Sequence, residues 1–217
     1  MDLLQIALIG GVLALDATSV GQFMVSRPLV AGAITGWALG DPALGMVVGA
    51  LLELYLLVSF PSGGARFPEG ATATVVAVAS AAAVDAPGAV PVGVAAGLVW
   101  GQVGGFSVTL FRKLNGRIVP DAAGASGGSI VRAHLTAMVL DGVRGAVVTL
   151  AGAVAGRWGV SLLAESWPLG TPDSRGLLLV GGAVSAGILL SDLGGFRRRR
   201  VLFAAGMAMG VVGARFL

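Results

Sequence analysis

The sequence predicts an all-α, polytopic membrane protein with about six to eight membrane segments, some of them short re-entrant or broken helices. Three observations carry that reading. Hydrophobic residues make up 56% of the 217 and charged residues only 12%, far from the balance of a soluble domain. Apolar runs recur along the whole chain, at about 3–15, 28–39, 43–60, 71–84, 88–111, 133–155, 176–191 and 201–217. Several are much shorter than the roughly 20 residues a spanning helix needs, and these adjoin acids, prolines and glycines. The chain reads as a single integral membrane domain, 1–217.

The first run, in "MDLLQIALIGGVLAL", opens with an acid rather than a basic region and carries no small-residue cleavage pattern, so it reads as a first membrane segment and not a signal peptide. The first run and those at 28–39 and 71–84 are too short to span. Irregular backbone at membrane depth persists only where protein buries it or it lines a cavity, which is the habit of transporters. The run at 43–60 contains Glu53, and a charge near the centre of a lipid-facing helix costs about 2.5 to 3.5 kcal/mol or more. Gly45, Gly49 and Glu53 recur every four residues, so they share one helix face. Small residues on such a face let membrane helices approach closely, which turns Glu53 toward protein. Gly32, Gly36 and Gly40, and Gly93, Gly97 and Gly101, repeat the spacing, and so many small faces lead us to expect oligomeric association.

Two basic clusters, "FRKLNGR" at 111–117 and "FRRRR" at 196–200, predict cytoplasmic loops. The runs at 133–155 and 176–191 then cross out and back, and the loop at 156–175, with Trp158 and Trp167, lies outside. "ALDA" at 14–17 and "VLDG" at 139–142 each place an Asp in an apolar setting in opposite halves, as an inverted repeat does.

Composition narrows the chemistry. There is no cysteine, one histidine (His134), and neither a metal-ligand cluster nor a nucleophile and base pair in the pattern, so no metal, cofactor or catalytic residue is expected. His134 reads as a capping or packing residue near a helix start. The net charge of +3 comes from unevenly placed arginines, which suits bilayer orientation and not nucleic acid. The first-half polar groups Asp16, Gln22, Arg27, Glu53, Glu69 and Thr72 instead supply what sugar recognition needs: carboxylates that accept from hydroxyls, with amides and hydroxyls beside them. Acids and arginines roughly balance there, which favours a neutral solute. The competing reading is structural, with Asp16 paired to Arg27 and Glu53 or Glu69 paired to Arg66, since charges within membranes generally pair.

The stretch from "ALDATSVGQFMVSRPLVAGAITGWALGD" through "GALLELYLLVSFPSGGARFPEGATATVVA" resembles the membrane component IIC of the mannose/fructose/sorbose family of the bacterial phosphotransferase system. The resemblance is carried over residues 14–78 by "LD" followed by "SRPLVAG", by "LGD" at 39–41, by the "LEL" helix and by "GGARFPEGATAT". It implies a multi-pass subunit of the bacterial inner (cytoplasmic) membrane that translocates a sugar and carries no phosphorylation site of its own. It also implies a IID membrane partner and cytoplasmic IIA and IIB phosphocarriers, with IIB phosphorylating the sugar as it emerges. Glu69 stands where the family more commonly has Asp, and the chain is shorter than typical members. The alternatives are a non-transporting scaffold or regulatory subunit, or a subunit of a secondary transporter outside the phosphotransferase system.

Overall fold

A computed structural model describes residues 3–57, 59, 66–120 and 125–213. Its described residues form eight helices: α1 (Leu3–Thr18), α2 (Pro28–Leu39), α3 (Pro42–Tyr55), α4 (Gly70–Ala81), α5 (Ala89–Ile118), α6 (Gly127–Leu163), α7 (Thr171–Asp192) and α8 (Gly195–Gly213). At 1.5 Å per residue, the 12-residue α4 is about 18 Å long, while the 30-residue α5 and 37-residue α6 reach about 45 and 55 Å. The helices α5, α6 and α7 are long and apolar enough to cross a bilayer, and α1 to α4 are shorter apolar helices.

Local chemistry sets the joints. Gly40 closes α2 in the left-handed region (φ 83°), and its amide donates to the Trp37 carbonyl at 3.1 Å. Asp41 then caps α3, its carboxylate accepting from the Leu44 amide at 2.9 Å, and Pro42 supplies the first helical residue without needing an N–H. "GDP" thus folds α2 and α3 into a hairpin. The two helices meet through glycine: a Cβ added at Gly36 would lie 2.6 Å from the Gly45 Cα, and one at Gly49 would lie 2.6 Å from the Pro28 carbonyl oxygen.

The short α4 is the centre of the molecule. Every residue from Ala71 to Ala81 is buried, and α1, α2, α3, α5 and α6 all pack on it. Its polar side chains are satisfied: Thr74 donates to the Gly70 carbonyl at 2.8 Å and Ser80 to that of Val76 at 2.6 Å. Around this centre α1 lies along α6, and α7 leans on α3 through the stripe Ser174, Leu178 and Gly182. The Tyr55 hydroxyl donates to the Leu178 carbonyl at 3.2 Å across that contact. The outer faces carry large apolar side chains, among them Leu179, Val180, Val184 and Ile188 of α7, as lipid contact requires.

The long helices outrun the apolar runs that announced them. The helix α5 continues through "FRKLNGR", and α6 begins at Gly127 and runs through Trp158 to Leu163, leaving 164–170 as the connection where the sequence suggested 156–175. Arg, Lys, Leu and Gln-like straight chains propagate a helix as well as apolar ones do, so hydropathy marks the membrane and not the helix end. The last helix starts at Gly195 rather than near 201, directly after Gly194 (φ 99°) breaks α7 from α8. His134 lies exposed two turns inside α6, so it caps nothing; Ser126 is the cap, accepting from the Ser129 amide at 3.3 Å.

Candidate functional site

The α2–α3 hairpin brings Arg27, which precedes the first residue of α2, beside Glu53 in the last turn of α3. Their side chains form an ion pair, and the Leu29 amide donates to the other Glu53 oxygen at 3.3 Å. This pair is accessible: the Arg27 side chain is 41% exposed and that of Glu53 is 21%.

Glu69 occupies the opposite extreme. It precedes α4, its amide donates to the Gly101 carbonyl of α5 at 2.9 Å, and its side chain is only 1% exposed. The carboxylate turns away from the α4 backbone amides and meets Arg144 of α6 in a two-armed pair, Nη2 to Oε1 at 2.8 Å and Nη1 to Oε2 at 3.1 Å. Thr72 adds a hydroxyl donor to Oε2 at 2.7 Å. Arg144 also donates from Nη1 to Ser107 Oγ at 2.7 Å and from Nε to Asp141 Oδ1 at 2.8 Å. The hydroxyls of Thr18 and Ser19, at the end of α1, both donate to Asp141 Oδ2. Gly104 makes room for the cluster, since a Cβ there would lie 2.6 Å from Glu69 Oε2. Gly104 and Arg144 each sit near the middle of a long helix, so the cluster lies at mid-length of α5 and α6.

A cavity of about 100 Å³ joins the two acids. Its lining includes Thr18, Ser26, Arg27, Glu53, Phe67 and Glu69. By the measure of about 10–15 Å³ per water position, it has room for a small cluster of ordered groups, and the residues around it include two acids, an arginine and hydroxyl-bearing side chains.

The six residues singled out in the sequence therefore separate. Arg27, Glu53 and Glu69 line the cavity, and Thr72 braces Glu69 from α4. Asp16 does not line it: its oxygens accept from the amides of Phe23 at 2.7 Å and Ser26 at 2.8 Å, which fastens the turn after α1. Gln22 is exposed and outside the lining, in a left-handed backbone conformation (φ 52°) within that same turn.

The structural pairings considered for these groups are also different from those expected. Asp16 is occupied by backbone amides rather than Arg27, because the chain turns back on the end of α1 before α2 begins. Arg66 takes neither glutamate; its guanidinium lies 4.8 Å from the centre of the Phe106 ring, in a cation–π contact. Part of the "FPSGGARFPEG" loop, residues 60–65, lies outside the described residues.

Arg144 is the group that sequence reasoning missed. Its signal was an arginine one helical turn after Asp141 inside a long apolar run, an i, i+3 pair that membrane depth makes expensive unless buried partners receive it. Ser107 gave no such signal.

Comparison with known proteins places this architecture. A family model described as the PTS system sorbose-specific IIC component matches residues 2–190. The PTS system sorbose-specific EIIC component of Lacticaseibacillus casei is 40% identical over 55 residues, which are 25% of this chain and 20% of that protein. The aligned stretch thus spans about a fifth of the curated relative's length. Among solved structures, one described only as a membrane protein superposes with a TM-score of 0.68 at 19% identity, covering 100% of this chain and 94% of the other. The mannose transporter ManYZ, solved in complex with microcin E492, superposes with a TM-score of 0.59 at 18% identity, covering 99% and 90%. At those identities the structures attest the fold, while the family model spans most of the chain: this protein belongs to the sorbose-specific IIC component family, the membrane transport subunits of the phosphotransferase system (PTS).

Proposed function

We propose that the chain is the sugar-translocating IIC subunit of a mannose-family PTS permease in the bacterial inner membrane, a single membrane domain over 1–217. The observation that carries this reading is the cavity between Glu53 and Glu69, with an ion pair at its accessible side and a buried carboxylate held at mid-length of the spanning helices. A substrate site near the bilayer midplane, built from short helices and loop ends, is the arrangement transporters use. Sugar hydroxyls donate to carboxylates and accept from arginine and hydroxyl donors, and both kinds of partner face this cavity. The sugar belongs to the mannose, fructose and sorbose class, in keeping with the relatives named above. In this reading Glu53, Glu69 and Arg27 contact the sugar, and Thr72 orients Glu69.

A IID membrane subunit completes the pathway, and cytoplasmic IIA and IIB proteins relay phosphate to the emerging sugar. The basic segments 111–117 and 196–200 face the cytoplasm, on the side where IIB works. Uptake in cells carrying all partner subunits tests the proposal. It should depend on phosphoenolpyruvate and fall strongly in Glu53→Gln and Glu69→Gln; normal uptake by both variants removes the site, and dependence on an ion gradient instead makes the chain a secondary transporter subunit.

A further inference from the structure

Glu69 and Asp141 are each only 1% exposed, yet they share one guanidinium, that of Arg144, whose side chain is 9% exposed. An ion pair kept for charge balance needs one acid. A second buried carboxylate adds desolvation cost that the pair does not recover, so the surplus acid stabilises poorly and must serve geometry. Its geometry is distinctive. Both terminal nitrogens of Arg144 hold the plane of the Glu69 carboxylate, Nη1 also reaches Ser107, and Nε holds Asp141. Asp141 passes the constraint on, because its other oxygen receives the Thr18 and Ser19 hydroxyls.

Thr18 and Glu69 both line the cavity, but one ends α1 and the other precedes α4. Arg144 and Asp141 are not part of that lining. The polar chain Thr18, Asp141, Arg144, Glu69 therefore runs behind the cavity and ties one wall to another. Resting on the sugar-site reading above, we propose that Arg144 is a positioning residue for sugar selectivity. It never touches the sugar; it sets where the Glu69 carboxylate and the Thr18 hydroxyl stand relative to each other. Epimers differ in the direction of a single hydroxyl, and a buried site rejects the wrong one only if its acceptors are fixed to within a fraction of an ångström. A planar guanidinium with donors on three nitrogens can fix two carboxylates at once. A lysine, a point charge on a flexible stem, cannot.

The test is equilibrium binding of radiolabelled mannose, fructose and sorbose to membrane vesicles of the native host overproducing the chain, with thermal stability measured in parallel. Arg144→Lys keeps the charge and should retain the fold, yet bind the preferred sugar about tenfold more weakly and with a smaller preference over the other two. Asp141→Asn, which leaves Arg144 in place and preserves shape, should shrink the preference in the same direction by less. Parent-like preference in Arg144→Lys overturns the proposal, whether affinity is unchanged or falls equally for all three sugars. Should Arg144→Lys fail to accumulate, an unchanged preference in Asp141→Asn overturns it instead. The sugar-site reading fails separately: it falls if Glu53→Gln and Glu69→Gln both bind as the parent does, or if the parent binds none of the three sugars.

Discussion

Glu53 and Glu69 line one cavity and live in different physical worlds. Glu53 meets a single arginine that is 41% exposed, at the open end of a glycine-packed hairpin. Glu69 is 1% exposed, receives two nitrogens of Arg144 and a threonine hydroxyl, and lies at the midpoint of the two longest helices. The first pair is exposed enough to be reached by other groups. The second pair is fixed, since separating it would leave the buried Glu69 carboxylate without its counter-ion. In the function proposed above, the first acid would receive a solute and the second would define where it stops.

Removing one member of the buried pair is the harshest way to break the contrast. Arg144→Gln leaves two buried carboxylates without a cation and should cost about 3–5 kcal/mol, read as a large drop in thermal midpoint or in membrane accumulation. Combining it with Glu69→Gln should recover part of that loss, because both partners of one interaction are then gone. Gly104→Ala strikes the same cluster sterically. Its new Cβ would stand 2.6 Å from Glu69 Oε2 and 2.9 Å from Glu69 Cβ, an overpacking expected to cost about 1–3 kcal/mol and to weaken sugar binding without removing any polar group.

The outer pair should behave in the opposite way. Arg27→Gln should change stability by only about 0–1 kcal/mol, yet lower sugar uptake clearly; a stability loss as large as that of Arg144→Gln would erase the distinction between the two acids. The smallest effect is reserved for His134, exposed on α6 away from both acids. His134→Ala should leave stability within about 0.5 kcal/mol and uptake unaltered, which thermal melts and uptake assays will check.

Three of the residues that line the cavity, Arg27, Glu53 and Glu69, were singled out from the sequence. Gly45, Gly49 and Glu53 announced a protein-facing acid by spacing alone, whereas the turn made by "GDP", which folds α3 back on α2, was recognised only in the structure. Asp16 and Gln22, which lie outside the cavity lining, were chosen for their chemistry. Asp16 sits in the last turn of α1 and Gln22 in the turn that follows, whose backbone amides of Phe23 and Ser26 occupy the Asp16 carboxylate. Composition identifies what a side chain can do, and it does not say which neighbour reaches it first.

The division between sequence and tertiary structure follows from range. Hydropathy and glycine spacing act within a few residues, so the helical class, the short inner segments and the positions where helices approach closely could be read along the chain. The partner of Glu69 was decided only by tertiary structure. Arg144 lies 75 residues away in the chain, and it meets Glu69 because α4 is buried between α5 and α6 at mid-length, where Gly104 leaves space for the carboxylate. Burial brings two distant charges together as one hydrogen-bonded group, and no local pattern in the chain encodes that encounter.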